Sequence, residues 1–378
     1  MIENGPFGFE ETQADTQTSA RCGVVSTKHG KFLTPAFMPV GTQACVKGLL
    51  PEQVDDSGAE IILANTYHLH LRPGEATVAE IGGLHKFMNW QGPILTDSGG
   101  FQVWSLSDLR KIDDDGVSFK SHIDGSSKRL DPKIAMQIQK DLGSDIIMSF
   151  DECMDYPIEK KDAEISLERT HRWEKETLAY HPHDGRALFA IIQGGVFPDL
   201  RKRSAEFLLD LPFDGYAMGG LFIGEIRDDS MAMLEIVGRM IPAQYPRYVM
   251  GVGTPLEILD CVARGWDMFD CVLPTRNGRH GTAMTATGRK NLKNARFKND
   301  PKPIEEHCNC LACKSYSRAY IRHLITAGEV LGMTLVSHHN LSYMQRLMKG
   351  ARQAIAESRF QSYRDSVAEF WTRPSTQS

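Results

Sequence analysis

The chain has 378 residues, of which 41 % are hydrophobic and 24 % charged, and this composition excludes a wholly disordered, fibrous or collagen-like protein. Its formal net charge of −5 gives no general attraction to nucleic acid, so such a partner would need a local basic patch. We expect a cytoplasmic protein, because the N-terminus lacks a signal-peptide pattern, no apolar run is long enough for a membrane helix, and five of the eight cysteines are scattered.

Eight short apolar runs, separated by longer amphipathic stretches, predict the strands of a parallel sheet. Since the runs are continuously apolar rather than alternating, both faces of the sheet should be covered. The predicted strands are residues 36–40, 60–65, 93–97, 145–151, 187–193, 215–221, 247–253 and 268–272. The amphipathic stretches predict helices over 51–59, 132–143, 160–181, 198–211, 229–240 and 254–265.

This alternation predicts an α/β fold, a (β/α)8 TIM barrel, with a doubly wound open sheet as the alternative. Residues 1–35 alternate between polar and apolar positions and predict a small capping sheet. Residues 117–125, after the third strand, predict an inserted hairpin. The last seven residues, 372–378, predict a frayed tail.

Carboxylates, amides and glycines end the apolar runs, where the strands of a barrel would bring them to one mouth. They are Asn65, Asp97, Asp151, Gln193, the Gly219-Gly220 pair, Gly251, Gly253 and Asp270. Two convergent carboxylates are typical of glycosyl transfer, in which one attacks an anomeric carbon while another moves a proton. The alternative is that each aspartate only caps the helix that follows it.

Cys308, Cys310 and Cys313 form a C-x-C-x-x-C cluster, and one imidazole would complete a tetrahedral structural zinc site. The candidates for the fourth ligand are His307, His323, His338 and His339. His339 ends a β-like run over 332–340 and lies far enough along the chain to close a loop. A redox-active thiol cluster or an iron–sulfur site is the alternative.

A basic segment precedes the cysteines. No acidic residue lies between Asp270 and Asp300, and the basic residues there are Arg276, Arg279, Arg289, Lys290, Lys293, Arg296 and Lys298. Because this segment begins beside a candidate catalytic aspartate, it predicts a track for the phosphates of a nucleic acid. A solvated face is the alternative.

The motifs resemble those of the tRNA-guanine transglycosylase (queuine tRNA-ribosyltransferase) family, and of its bacterial branch in particular, over nearly the whole chain. The segments that carry the resemblance are 63–74, 96–107, 118–126, 149–153, 193–195, 219–225, 248–255, 269–281, the cysteine cluster and 337–340. The resemblance implies a barrel with a zinc-binding insertion near its last strand. We therefore predict a barrel with capping strands over 1–290, a zinc-binding subdomain over 291–340, and a C-terminal helix with its tail over 341–378.

The resemblance also implies a role for individual residues. Asp270 matches the nucleophile that attacks ribose C1′ of the wobble guanosine, and Asp97 matches the acid/base carboxylate. The residues implied to bind the base are Ser98, Phe101, Asp151, Gln193, Gly220, Leu221 and Met250, with Phe101 and Met250 on its two faces. Those implied to contact tRNA are Arg276 and Arg279, and those implied to hold one structural Zn²⁺ are Cys308, Cys310, Cys313 and His339.

The implied reaction exchanges the guanine at anticodon position 34 of GUN-anticodon tRNAs for 7-aminomethyl-7-deazaguanine (preQ1) in queuosine biosynthesis, through a covalent ribosyl–enzyme. The implied partners are the tRNA anticodon loop, guanine and preQ1, and the family alone implies a homodimer. Relatives that accept queuine carry glycine at the position of Ile223, so its branched side chain favours preQ1. Trp104 and Phe222 depart from the smaller residues that the family has there.

Two other functions are the alternatives to this one. An amidohydrolase-like metal enzyme would use His68 and His70, but it also needs histidines at later strand ends, where this chain has Gln193 and Gly220. A non-catalytic tRNA-binding subunit would be expected to lack the three aspartates.

Overall fold

All eight predicted strands are present in the computed structural model, which describes residues 7–106 and 110–372. In chain order the barrel strands are Ala36–Met38 with Val40–Gly41, Ile62–Ala64, Ile94–Thr96, Ile146–Met148, Ala187–Ile192, Gly215–Met218, Arg247–Val249 and Met268–Asp270, called strands one to eight below. Each pairs in parallel with its neighbours in the chain. The predicted α/β fold is confirmed.

The sheet closes on itself at the first strand, which Pro39 divides into two parts. Ala36–Met38 pairs with strand eight, in the register Met268 to Ala36 and Asp270 to Met38, while Val40–Gly41 pairs with strand two. Proline has no N–H to donate, so it falls where the strand changes partner. A closed barrel excludes the doubly wound open sheet.

The continuously apolar character of the strands has a direct cause in their packing. In strand five, Phe189 and Ile191 belong to the cluster that fills the barrel, whereas Leu188, Ala190 and Ile192 pack in the cluster shared with the surrounding helices. Successive side chains point to opposite faces of a strand, and here both faces are buried.

Helices cover the outside of the barrel, and every predicted helix is present. Their bounds are Pro51–Asp56, Thr66–Leu71, Glu75–Ile81, Leu84–Met88, Gly100–Leu106, Pro132–Leu142, Lys160–Tyr180, Pro198–Leu209, Arg227–Gly238, Pro255–Val262, Leu273–Arg279, Leu311–Ser315, Arg318–Ala327, Val330–Ala356 and Phe360–Trp371, with a 3₁₀ turn at Ala295–Phe297. Among the described residues no helix has the length and apolar character needed to cross a membrane.

Two three-stranded antiparallel sheets lie outside the strand order of the barrel. The predicted capping sheet consists of Gly8–Ala14, Arg21–Thr27 and Gly30–Thr34, and its Val25 and Phe32 join the cluster inside the barrel. The predicted hairpin is part of a second three-stranded sheet, formed by Arg110–Asp113, Gly116–Lys120 and Ser127–Leu130.

An insertion follows strand eight, as the resemblance implies. It contains the hairpin Thr282–Thr285 with Gly288–Asn291 and has its own apolar cluster, whose buried members run from Ala283 to Val336. The long helix Val330–Ala356 begins in this insertion and continues along the barrel.

The β-like interpretation of residues 332–340 was wrong, because these residues lie within the helix Val330–Ala356. Tertiary packing overrides the local β-like pattern here: the helix packs closely on Leu273–Arg279, where a Cβ on Gly278 would lie 2.6 Å from the Cα of Ser337. The predicted boundary between residues 340 and 341 falls inside this continuous helix, and the division into three parts stays a prediction. Of the predicted tail, residues 373–378 lie outside the described residues.

Candidate active site and metal centre

Asp270 ends strand eight at the mouth of the barrel, and two donors hold its carboxylate. The Tyr248 hydroxyl donates to Oδ1 at 2.5 Å, and the Gly251 N–H donates to the same oxygen at 2.9 Å. Burial raises the pKa of Asp270, and these two donors oppose the rise. Both hydrogen bonds that the described residues make to this carboxylate reach Oδ1, which leaves Oδ2 for an electrophile.

Asp97 follows strand three and is held by three donors. The Thr66 N–H and the Gln102 side-chain amide donate to it at 2.8 Å, and the Asn65 side-chain amide also donates. Burial outweighs these donors and, together with the negative charge of Asp270, raises the pKa of Asp97 to about 6. A carboxyl group with such a pKa can accept and return a proton near neutral pH.

Asp151 and Gln193 form a second polar pair at the ends of strands four and five. Gln193 Nε2 donates to Asp151 Oδ2 at 2.7 Å, and the Ser98 hydroxyl donates to Asp151 Oδ1 at 3.2 Å. Burial outweighs both donors and raises the pKa of Asp151 to about 6. Gln193 Oε1 is buried and has no hydrogen-bond partner among the described residues, so it offers an acceptor to a ligand.

Gly220 lies against this pair and must be a glycine. Its φ is +63°, and a Cβ there would lie 2.5 Å from Gln193 Oε1. The backbone of the strand-six loop therefore lies in van der Waals contact with Gln193 of the Asp151–Gln193 pair. Leu221, the next residue, is buried.

Arg201 forms hydrogen bonds to the loops after both strand five and strand six. Its guanidinium is fully buried and donates to the carbonyls of Ile192 at 2.6 Å, Gly195 at 2.8 Å and Gly220 at 3.4 Å. Burial lowers its pKa to about 9. The position of Gly220 relative to Gln193 thus depends on a residue of the helix Pro198–Leu209.

Glu225 fixes the rest of the strand-six loop. The N–H groups of Phe222 and Ile223 donate to its carboxylate, the latter at 3.0 Å, and the Ser230 hydroxyl donates as well. Burial raises the pKa of Glu225, but these donors outweigh it and the pKa lies below its ordinary value. An ionised Glu225 therefore sets the orientation of the peptides around Phe222.

The two side chains expected to face a base differ in exposure. Phe101 is 42 % exposed on the helix Gly100–Leu106, and its ring centroid lies 5.4 Å from that of Trp104. Met250, beyond strand seven, is partly buried against the apolar cluster inside the barrel. Their arrangement on the two faces of a base stays a prediction.

Arg276 and Arg279 lie on the short helix that follows Asp270. Arg276 is exposed, and the Arg279 Nη1 is buried without a hydrogen-bond partner among the described residues. Burial and the neighbouring charge of Arg276 lower the pKa of Arg279. Two guanidinium groups that form no ion pair among the described residues and lie beside the Asp270 carboxylate are typical of a phosphate-contacting surface.

Three residues of this site were not predicted from the sequence. The sequence pattern could have identified Tyr248. It lies two residues before Met250, and residues two apart in a strand point to the same face. Gln102 lies beside the motif around Asp97, but nothing in the sequence shows that its amide turns back to that carboxylate. Arg201 has no sequence signal, because arginines in amphipathic helices are usually exposed.

The predicted metal ligands Cys308, Cys310, Cys313 and His339 converge. The distances from His339 Nδ1 to the three Sγ atoms are 3.7, 3.5 and 3.4 Å in chain order. A tetrahedral ion with Zn–S of about 2.3 Å and Zn–N of about 2.0 Å requires an S···N separation of about 3.5 Å. The four side chains therefore fit a tetrahedral metal ion.

Two further contacts prepare these ligands. The His339 Nε2 lies 2.9 Å from the Met284 carbonyl, which fixes the proton on Nε2 and leaves Nδ1 free to bind a metal. The Arg346 guanidinium donates to Cys308 Sγ at 2.8 Å. His338 instead lies 3.1 Å from the Asp56 carboxylate, so of the four candidate histidines the structure selects His339.

The amidohydrolase-like alternative has no support in the geometry. His70 pairs with Glu75 at 2.8 Å, and His68 stands against the His122 ring. Within the described part of the chain, neither His68 nor His70 belongs to a group of three or more side chains that could hold a metal.

Comparisons with known proteins agree with this geometry. A family model described as queuine tRNA-ribosyltransferase matches residues 15–373. Proteins named queuine tRNA-ribosyltransferase are similar to this chain: that of Acetivibrio thermocellus is 54 % identical over 366 residues, 97 % of both chains. That of Lysinibacillus sphaericus is 54 % identical over 362 residues, 96 % of this chain and 95 % of the relative. That of Desulforamulus reducens is 52 % identical over 360 residues, 95 % of this chain and 97 % of the relative.

We expect the substitution Cys310→Ser to remove the metal from the purified protein, because a hydroxyl is a poor replacement for one of four ligands. The amides between Ala283 and Val336 should then exchange faster with deuterium, while those of strand five keep their protection. Metal analysis and hydrogen exchange measure both effects. The control is Cys45→Ser, at an exposed thiol outside the cluster. Full metal content in Cys310→Ser would show that Cys310 is not a ligand.

Proposed function

This chain belongs to the queuine tRNA-ribosyltransferase family, and we propose that it exchanges the wobble guanine of GUN-anticodon tRNAs for preQ1. Enzymes of this family are pentosyltransferases, which act on tRNA in queuosine synthesis. The observation that supports this proposed exchange is that two carboxylates, Asp270 and Asp97, lie at the same mouth and differ in their hydrogen-bond donors. Asp270 keeps one oxygen available, whereas Asp97 is saturated with donors and has a pKa of about 6.

The first step is a displacement at ribose C1′. The wobble nucleoside leaves the anticodon stack, which costs little in a single-stranded loop. Asp270 Oδ2 attacks C1′, the C1′–N9 bond breaks with its electron pair passing to guanine, and guanine leaves after N9 takes up a proton from water; water is repaid with the proton that Asp97 removes from the incoming base in the second step. The product is a covalent ribosyl–enzyme.

The second step reverses the first with a different base. Asp97 removes the proton from the ring nitrogen of preQ1, this nitrogen attacks C1′, and the bond to Asp270 breaks. Two inversions give net retention at C1′. No oxidant, reductant or nucleotide cofactor is needed for this sequence.

The base is proposed to bind between the loops after strands four, five and six. Asp151 and the free Gln193 Oε1 accept hydrogen bonds from its ring N–H and amino groups. Gly220 and Leu221 offer main-chain groups, and a carbonyl near Leu221 can accept from the aminomethyl ammonium of preQ1. Phe101 and Met250 cover the two faces of the ring.

We assign the metal of the four-ligand centre as zinc, because three thiolates and one imidazole are a typical structural zinc set. Four protein ligands leave no open position, so the ion stabilises the insertion and takes no part in base exchange. The Cys310, Cys313 and Cys308 thiolates and His339 would hold it.

The tRNA is proposed to lie across the basic segment that begins with Arg276 and Arg279. Phosphates on either side of the reacting nucleotide would meet these guanidinium groups as C1′ reaches Asp270. A homodimer and a cytoplasmic location are further proposals, which rest on the resemblance to the family.

We expect Asp270→Asn to abolish both guanine exchange and formation of a covalent tRNA adduct, because an amide cannot serve as the ribosyl nucleophile. The amide keeps the size of the carboxylate and can still accept from Tyr248. Exchange of labelled guanine and denaturing gels of enzyme–tRNA mixtures measure the two effects. Asp97→Asn is the matched comparison. An adduct that persists in Asp270→Asn but is lost in Asp97→Asn would reverse the two assignments.

The proposal also gives the reaction a defined pH dependence. Asp97 must be ionised to accept the proton of the incoming base, and its pKa is raised to about 6. This pKa belongs to the protein without a bound base, so we expect kcat/KM for preQ1 to be constant above this pH and to fall about tenfold per pH unit below it. Circular dichroism at each pH checks that the fold persists. A kcat/KM that stays constant down to about pH 5 would exclude Asp97 as the base.

The choice of base is tested at Ile223. Its branched side chain should fill the space that the cyclopentenediol of queuine needs, so we expect the unmodified protein to discriminate against queuine. Ile223→Gly should admit queuine and leave preQ1 exchange nearly unchanged. Competition of each base against labelled guanine measures this, with Ile226→Gly, an exposed position near the same loop, as the control. Efficient use of queuine by the unmodified protein would refute the substrate assignment but not the transglycosylase reaction.

A further inference from the structure

A second group of metal-binding side chains lies at the opposite end of the barrel from Asp270. His29 is in the turn between two capping strands, His85 is on the helix Leu84–Met88, and Asp145 immediately precedes strand four. One ligand atom from each lies within 4.8 Å of those of the other two. Strand-start positions of a barrel are remote from its mouth, so this group takes no part in base exchange.

The two imidazoles converge on the same carboxylate. His29 Nδ1 lies 2.7 Å from Asp145 Oδ1, and His85 Nε2 lies 3.2 Å from Asp145 Oδ2. The rings are stacked, with centroids 3.6 Å apart and planes 20° apart. Two nitrogens and one carboxylate oxygen thus point into one small volume.

The carboxylate is prepared for this role by its surroundings. The Asp145 side chain is only 1 % exposed, and the backbone N–H groups of His29 and Ile94 donate to its two oxygens at 3.2 and 2.9 Å. These two backbone donors do not depend on the imidazoles, so they orient the carboxylate whether or not an ion is bound.

A route from solvent also exists. The His29 side chain is 33 % exposed and that of His85 is 12 % exposed. His29 lines a cavity of about 510 Å³, and the charged residues of its wall are Glu52, Asp55, Glu60 and one cation, Lys31. An excess of carboxylates raises the local concentration of cations beside His29.

We propose that His29, His85 and Asp145 bind a divalent transition-metal ion such as Zn²⁺. His29 Nδ1, His85 Nε2 and one Asp145 oxygen are the ligands, and water completes the coordination. The ion takes the place of the two imidazole N–H donors: each ring moves its proton to its other nitrogen, and the backbone donors continue to hold the carboxylate. Two histidines and one carboxylate are a common ligand set for such ions.

An ion at this place would join three parts of the chain that are distant in sequence. These are the capping turn, a barrel helix and the start of strand four. Because the ion binds the folded protein only, it should stabilise the attachment of the capping sheet to the barrel. The role is structural, and it differs in ligand chemistry from the thiolate centre near the C-terminus.

The test is cobalt spectroscopy on the full chain with its four-ligand centre already loaded with zinc. Added Co²⁺ should give visible d–d bands without the sulfur-to-cobalt charge-transfer band that thiolates produce, and the melting temperature should rise. His85→Gln and His29→Gln should each lose the bands and the rise. Both variants keep the buried Asp145 in place, which avoids the loss of folding expected from changing a buried carboxylate.

The control is His183→Gln, which disrupts an exposed pair of imidazoles whose Nδ1 atoms lie 3.2 Å apart. This variant should keep the bands. Bands lost in His183→Gln but kept in His85→Gln would place the ion at the exposed pair and overturn the proposal. The absence of any sulfur-free band in the unmodified protein would overturn it as well. A spectrum with thiolate charge transfer only would mean that cobalt had exchanged into the cysteine centre, with the same consequence.

Discussion

Pairing of strand eight with strand one is the constraint on which the candidate site depends. It aligns Asp270 with Met38 and closes the sheet, so that the carboxyl ends of all eight strands face one mouth. In an open sheet, the first and last strands would lie at opposite edges, and Asp270 would be far from Asn65 and Asp97. The negative charge of Asp270 raises the pKa of Asp97 only because closure makes strands eight, one, two and three neighbours.

Burial of three carboxylates at that mouth opposes folding, and the chain offsets it in different ways. Asp97 receives three donors, and Asp151 receives two side-chain donors. Asp270 receives two donors, both on one oxygen. The free oxygen is the chemical difference, because a nucleophile must keep a lone pair unshared whereas a proton carrier needs a stable, adjustable pKa. Thus, in the proposed reaction, the same type of side chain would serve two roles according to the number and placement of its donors.

Much of this structure could be predicted from the sequence, because it follows from features that are local. The continuous apolar runs predict all eight strands, and the C-x-C-x-x-C motif predicts a metal centre. What could not be predicted is set by packing between distant segments. Residues 332–340 form a helix because Gly278 allows another helix to approach, and Arg201 is buried because three carbonyls from two loops happen to face it. The choice of His339 among four histidines likewise depended on the resemblance to the family until the structure brought it to the cysteines.

The two ends of the barrel differ in whether their buried polar groups have hydrogen-bond partners. At the mouth, Gln193 Oε1 has no partner among the described residues, which is costly in a folded protein and is typical of a place where a ligand binds. At the start of strand four the polar groups satisfy one another: Asp145 accepts from two backbone amides and two imidazoles. A metal ion can enter there in place of the two imidazole donors, because each displaced proton can move to the other nitrogen of its ring. The same reasoning separates the two proposed ions. Thiolates at the cysteine centre would repel one another without a cation, so we expect the insertion to depend on its metal. The members of the His29–His85–Asp145 group hydrogen-bond to one another without an ion, so this group would bind one reversibly.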